Sequence, residues 1–379
     1  MKKSLGERSL ALHKKLHGKI SIAGKVPVRN RDDLSLAYTP GVAAVSSHLA
    51  EHKEALCEYS IKRNTVAVIS DGSAVLGLGN IGPEGALPVM EGKALLFKSF
   101  ANIDAFPIVL ATQDTEEIIK TIKNIAPVFG GLNLEDISAP RCFEIEKRLK
   151  ATLDIPVMHD DQHGTALVVL AGLINACKVV KKKFANCRVV ISGAGAAGTA
   201  VAALIHQYGV GDIIMLDSAG IIGHSRIDLN DSKKELLTFT NKENLSGGLS
   251  QAIRGADIFI GLSKPGLLTT EDVKAMNKGA IIFAMANPTP EIMPDEAKKA
   301  GAAVVATGRS DFPNQINNVL GFPGIFRGAL DSQVRDITDV MLVRAAERLA
   351  GLIKKPTAEN IIPSPFDTRV VKAVASSIY

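Results

Sequence analysis

Tryptophan is absent from this chain of 379 residues, and tyrosine and cysteine occur only 4 times each. So few large aromatics argue against an aromatic-rich binding surface. Cys57, Cys142, Cys177 and Cys187 show no CxxC spacing and fall mostly in apolar segments, so they read as buried thiols, not as a disulfide framework or a zinc site. The first ten residues carry charges and no apolar signal core. The longest apolar stretch, 166–177, is interrupted by Asn175 and is too short to span a bilayer. A cytoplasmic location without membrane association is therefore expected. A basic stripe is missing too: the net charge is +5, and the one compact run, 178–183, closes an apolar helical pattern, as a solvated helix C-terminus does. Nucleic acid is not an expected partner.

What the chain does have is the balance of a globular protein, 46% hydrophobic and 22% charged, with 33 glycines. Its length suits two or three domains. Apolar residues at helical spacing predict a helix over 4–17. Thr39 and Pro40 read as the N-cap and first residue of a second helix. Strands are expected at 66–70, 106–111, 128–134 and 155–158, with helices at 91–100 and 141–153. A glycine loop runs through Leu76, Gly77, Leu78, Gly79, Asn80, Ile81 and Gly82. The stretch 162–180 is apolar nearly all round, which marks a helix buried between two layers and places a hinge there. Beyond it, strand signals at 188–192, 212–216, 257–261, 280–286 and 302–306 alternate with helical patterns. The expected class is α/β: an N-terminal α/β domain over 1–161 and a Rossmann-like doubly wound parallel sheet over 162–379.

The second half carries the more specific signal. The strand ending at Ser192 runs into Gly193-Ala194-Gly195-Ala196-Ala197-Gly198, and a helical pattern follows at once. Gly193 permits a tight turn, Gly195 admits a pyrophosphate to the backbone, and Gly198 lets the helix pack close to its strand. The phosphates then rest at a helix N-terminus. Asp217 ends the next strand, placed to accept ribose hydroxyls and to repel a 2′-phosphate, with Ser218 and Ala219 after it and no adjacent basic residue. NAD is the expected coenzyme, with NADP possible.

In the first half, Glu135 and Asp136 follow one strand, and Asp160 and Asp161 follow the next, with one helix between. A right-handed crossover puts both carboxyl ends on one sheet edge. Four converging carboxylates call for a hard cation, and oxygen ligands without cysteine suit Mg²⁺ or Mn²⁺. Tyr38, just before the predicted helix start, would feel the positive end of its dipole. Lys93, among apolar neighbours, would be desolvated and its pKa lowered toward that of a useful base.

These segments together resemble the malic enzymes, in their short bacterial form, from about Leu10 onward. The resemblance rests on Tyr38-Thr39-Pro40-Gly41-Val42, Asp71-Gly72-Ser73, Glu91-Gly92-Lys93, Asn133-Leu134-Glu135-Asp136, the stretch from His159 to Thr165, the dinucleotide glycines, Asn287-Pro288-Thr289, and Asn317-Asn318 with Phe322-Pro323-Gly324. It implies metal-dependent oxidative decarboxylation of (S)-malate to pyruvate and CO₂ in a homodimer. By position, Glu135, Asp136 and Asp161 would hold the metal, Lys93 would be the general base with Asp160 beside it, and Tyr38 would be the general acid. Asn287 and one or both of Asn317 and Asn318 would bind substrate, Asn287 also lying near the nicotinamide. One position departs: larger family forms carry an arginine for the malate carboxylate where this chain has Ala74. Competing readings are a malolactic-type enzyme that releases lactate, a silent dinucleotide-binding regulator, and a metal-independent amino-acid dehydrogenase.

Overall fold

A computed structural model describes residues 4–75 and 77–379; the first three residues and Leu76 of the glycine loop lie outside the described part. Two sheets organise the chain. The first takes β1 (Thr65–Ser70), β2 (Asp104–Val109), β3 (Gly131–Leu134) and β4 (Val157–His159) in the order β2-β1-β3-β4, every pairing parallel. Val66, Ala67, Val68 and Ile69 are all fully buried, as in a strand covered on both faces.

The second sheet takes β5 (Arg188–Ser192), β6 (Asp212–Asp217), β7 (Gly220–Ile221), β8 (Ile258–Gly261), β9 (Ile281–Ala284) and β10 (Val304–Thr307), in the order β10-β9-β8-β5-β6-β7. Only β7 runs antiparallel. This is the doubly wound, Rossmann-like sheet expected from the alternating pattern. Strand order reverses between β5 and β8, which opens a crevice at their carboxyl ends where such sheets bind ligands.

The helix Asp160–Val180 joins the two halves. Its 21 residues and mean hydropathy of 1.6 would suffice to cross a bilayer, more than the 166–177 stretch suggested. Leu167, Val168, Val169, Leu170 and Leu173 are nevertheless fully buried inside the protein. A later helix, Phe322–Ser332, returns to the first half, where Phe322 and Phe326 meet Phe97 edge-on at 4.8 and 5.5 Å between ring centres. Cys142, Cys177 and Cys187 are buried and Cys57 is half-buried, all as free thiols.

Strand boundaries shift by a few residues from expectation, most at β3, where a 3₁₀ turn over Ala126–Val128 takes the first part of the predicted run. Pro127 has no N–H for a sheet ladder, which favours the turn. The second predicted helix also differs: it is Val42–Glu51 with Gly41 as its N-cap, and Tyr38 instead caps the C-terminal end of a short helix, Arg31–Ala37. Residues 4–64 contain no buried side chain, although Leu5, Leu10, Ile22 and Leu36 are among them.

Candidate active site

Strands β3 and β4 are neighbours, with Leu134 level with His159. The residues that follow them therefore emerge side by side. Glu135 and Asp136 leave β3, while Asp160 and Asp161 open the long buried helix. Carboxylate oxygens of Glu135, Asp136 and Asp161 lie within 4.8 Å of one another. The Asp136 N–H donates to Asp161 Oδ2 at 2.9 Å, which ties the two strand ends together. Burial raises the Glu135 and Asp161 carboxyls above the ordinary range against the pull of Lys93, with Asp161 adding to the rise at Glu135 and Asp160 to the rise at Asp161. The set is hard, anionic and converging, and it fits a divalent Mg²⁺ or Mn²⁺ ion.

Lys93 reaches this cluster from the helix Gly82–Ala101, its side chain only 6% exposed. Its ammonium contacts both Asp160 Oδ2 and Glu135 Oε2 and lies 4.6 Å from the centre of the Phe322 ring. The apolar surroundings expected around Lys93 are thus only half the environment. Burial by itself would lower its pKa, but Asp160, Glu135 and Asp161 outweigh burial and hold the ammonium above its ordinary value. That corrects the sequence-based expectation of a lowered value. Burial pushes Asp160 up to about 7, against the pull of Lys93. Asn318 donates to Asp160 Oδ2 at 2.6 Å, and Asn133 donates to Glu135 Oε2 at 3.0 Å.

A cavity of about 430 Å³ opens beside the cluster, lined by Asp161, Ala74, Ala196, Ala197, Asn287, Asn317 and Asn318 among others. A second, of about 760 Å³, is lined by Gly193, Ala194, Asp217, Ser218, Arg226 and Lys233 among others. Gly195 and Ser263 line both, so the two cavities meet at the glycine turn. Each glycine there has a distinct physical reason. Gly193 sits at φ +121°, and an added Cβ would lie 2.7 Å from the Leu262 carbonyl oxygen. An added Cβ on Gly198 would come within 1.8 Å of the Gly193 carbonyl oxygen, whereas at Gly195 it would meet nothing within 4 Å. The turn is thus closed on its protein side and open on its cavity side.

The family model described as "Malic enzyme, NAD binding domain" matches residues 162–378, and "Malic enzyme, N-terminal domain" matches 17–150. The chain belongs to the malic enzyme family. It is 56% identical over 378 residues to the bifunctional malic/malolactic enzyme of Bacillus subtilis, covering 99% of this chain and 92% of that one. With the NAD-dependent malic enzyme of Geobacillus stearothermophilus it shares 55% identity over 377 residues, 99% of this chain and 78% of the relative. The crystal structure of an NAD-dependent malic enzyme from Thermotoga maritima superposes with a TM-score of 0.95 at 50% identity, covering 98% of each chain. As a malic enzyme, the chain is an oxidoreductase that decarboxylates malate to pyruvate while reducing NAD(P)⁺. This disposes of the silent regulator and of the amino-acid dehydrogenase.

Within this malic enzyme, Lys93, Glu135, Asp136, Asp160 and Asp161 form one cluster, and Asn318 joins it through Asp160. Asn287 and Asn317 line the adjoining cavity. Tyr38 stands apart, 66% exposed and lining neither cavity.

Sequence reasoning missed Glu146, Gly164, Arg226 and Lys233. Buried Glu146 accepts the His159 backbone N–H at 3.0 Å, Gln162 Nε2 at 3.1 Å and a His163 ring nitrogen at 3.1 Å, so it braces the turn that carries Asp160 and Asp161. Burial raises it, but His163 wins and holds it down at about 2. The only available signal was an acid on the buried face of the predicted helix 141–153. Gly164 makes room for a carboxylate: a Cβ there would lie 1.8 Å from Asp160 Oδ1.

Proposed function

We propose that this chain oxidises (S)-malate with Lys93 as general base, Asp160 as its proton partner and Tyr38 as general acid, using Mg²⁺ or Mn²⁺ held by Glu135, Asp136 and Asp161. The observation that carries the reading is the position of Lys93, one ammonium contacting both a cluster carboxylate and Asp160. When bound, the divalent ion supplies Lewis-acid polarisation of the substrate oxygen. Lys93 must first be neutral. Asp160 is the adjacent group to take its proton, and its raised carboxyl suits that exchange. Lys93 then removes the C2 hydroxyl proton as the C2 hydride leaves for the nicotinamide. The C3–C4 bond breaks to release CO₂, its electron pair forms enolpyruvate, and Tyr38 protonates C3. Asn287, Asn317 and Asn318 orient the substrate by donating amide hydrogens to its carboxylates, and Asn287 stands at the nicotinamide end. That role matters because Ala74 offers no charge.

The reading includes a homodimer and a domain boundary near residue 161. Tyr38 lies on a segment, residues 4–64, with no buried side chain and with Leu5, Leu10, Ile22 and Leu36 more than two-thirds exposed. An apolar surface of this kind is covered in a stable assembly, and a second copy would bring Tyr38 to a substrate cavity. Sedimentation analysis and mixing of Tyr38→Phe with Lys93→Ala test this. Partial recovery of turnover in mixed dimers is expected, and none means that Tyr38 does not act across an interface.

The decisive assay supplies malate and NAD⁺ with and without Mn²⁺ and measures NADH and pyruvate together. Metal-independent turnover would remove the assigned ligand set. Release of lactate is a second reading, favoured by the similarity to the Bacillus subtilis enzyme named malic/malolactic. Product analysis separates the two.

A further inference from the structure

The turn Asp71-Gly72-Ser73 leaves the end of β1 and has no part in the chemistry proposed above. Its polar atoms are nonetheless committed. Fully buried Asp71 accepts the Ser73 N–H at 3.0 Å and the Ser73 hydroxyl at 2.6 Å on Oδ1, and Arg141 Nη2 at 2.9 Å on Oδ2. Arg141 opens the helix Arg141–Thr152, and the same Nη2 lies 3.0 Å from Ser73 Oγ and 3.1 Å from Ser138 Oγ. Ser73 Oγ also accepts the Ser138 N–H at 2.9 Å. One guanidinium thus gathers the turn after β1 and the segment after β3.

That segment includes Asp136, one of the three converging carboxylates. Asp136 sits at φ +54°, in the left-handed region that residues other than glycine seldom occupy unless their surroundings hold them there. Two backbone bonds do so: its N–H is on Asp161, and its carbonyl accepts the Ala74 N–H at 2.9 Å. Ala74 directly follows Ser73, so the Arg141 contacts fix the donor that holds Asp136. The turn is pinned on its other side too. The Gly72 carbonyl accepts the N–H groups of Ile81 at 3.1 Å and Gly82 at 3.2 Å, where the helix carrying Lys93 begins. Asp71 neutralises Arg141, so the pair adds no net charge to the acidic cluster; what it supplies is geometry.

We propose that Arg141 is a positioning residue: bonded to Asp71, Ser73 and Ser138, it holds Asp136 in the conformation in which its carboxylate converges with Glu135 and Asp161 on a divalent cation. The inference rests on the reading of those three acids as the cation site. Arg141 is no ligand itself, and its effect passes through the backbone of residues 136–138. The planar fork of a guanidinium suits the task, because it serves acceptors from both segments at once without rearranging.

Mn²⁺ titration of the intact protein, with the free ion followed by electron paramagnetic resonance, tests this without turnover. Arg141→Ala should raise the Mn²⁺ dissociation constant by about 10–100-fold, the usual cost of removing a group that orients a metal ligand, while NADH binding read by coenzyme fluorescence stays unchanged. Arg141→Lys, which keeps the charge and loses the fork, should fall between Arg141→Ala and wild type. Arg148→Ala, on the same helix but in exposed pairs with Glu116 and Glu144, should leave the constant as in wild type. Ser73→Ala removes a single hydroxyl, should shift Mn²⁺ binding in the same direction, and serves where Arg141→Ala does not fold. A dissociation constant within about twofold of wild type in folded Arg141→Ala or, failing that, in Ser73→Ala overturns the proposal. An equal loss in Arg148→Ala does so too, since any disturbance of that helix would then suffice. Unchanged Mn²⁺ binding by Asp161→Asn would remove the ligand set and this proposal with it. Weakened binding by Asp161→Asn beside unchanged binding by Arg141→Ala would sink this proposal alone.

Discussion

At the end of the first sheet a single ammonium faces four carboxylates, whereas at the end of the second sheet two cations face two carboxylates. The first cluster is buried and carries excess negative charge; the second is partly open and neutral. The excess has visible consequences: the Glu135, Asp160 and Asp161 carboxyls are all raised, and the Lys93 ammonium is held above its ordinary value. In the second cluster burial would raise Asp217, but Arg226 and Lys233 hold it well below the usual carboxylate range. An unbalanced acidic cluster calls for a cation, while a balanced one is satisfied by its own pairs.

Removing the missing charge from the first cluster should have the largest effect. Chelation with EDTA should abolish NADH formation from malate, and Mn²⁺ should restore it; turnover that survives chelation would make the cluster merely structural. Removing the ammonium comes next. Lys93→Ala should lower kcat by about 10²–10⁴-fold while coenzyme fluorescence still reports dinucleotide binding. A rate near wild type would end its assignment as base.

Loosening the brace behind the cluster should cost less. Glu146→Gln breaks a buried ion pair with His163, and thermal or denaturant unfolding should show a loss of about 3 kcal/mol. The sign with pH follows from both partners. Glu146 is depressed in the folded state, so its contribution is full above its ordinary 4.5 and is lost as pH falls toward about 2. Burial would lower His163, but Glu146 prevails and raises it, so its contribution is full below 6.5 and is lost as pH rises through its folded value. The stability gap between wild type and Glu146→Gln should therefore be widest between 4.5 and 6.5. A gap independent of pH would mean that packing, not charge, is what Glu146 supplies.

The smallest change belongs to the balanced cluster. Asp217→Asn removes the shared partner of Arg226 and Lys233, two cations that are themselves partly exposed and can turn to solvent, and stability should fall by about 1 kcal/mol, less than for Glu146→Gln. A loss as large as that for Glu146→Gln would erase the contrast between the two clusters.

Much of this was legible in residue order. The glycine turn is a local device: strand, tight turn and helix follow one another within a few residues, so spacing alone discloses it. The Glu135–Asp136 and Asp160–Asp161 pairs were legible because one strand–helix–strand unit separates them and its handedness is constrained. Lys93 could be located but its state could not, since apolar neighbours in sequence argue for a lowered pKa while three carboxylates from elsewhere in the fold raise it. Tyr38 shows the limit of local reasoning about caps: Thr39-Pro40 looks like a helix start, yet the helix begins at Val42.

By itself, then, the order of residues determined the two parallel sheets, the dinucleotide turn and the set of acids that meet at one sheet edge, because periodicity, glycine spacing and crossover handedness are properties of short stretches. Tertiary structure alone decided the charge state of Lys93, the bracing of Asp160 and Asp161 by Glu146 and Gly164, and the occupation of Asp217 by Arg226 and Lys233. Those depend on distances of a few ångströms between segments far apart in the chain, and electrostatic and hydrogen-bond energies are set by those distances and by burial.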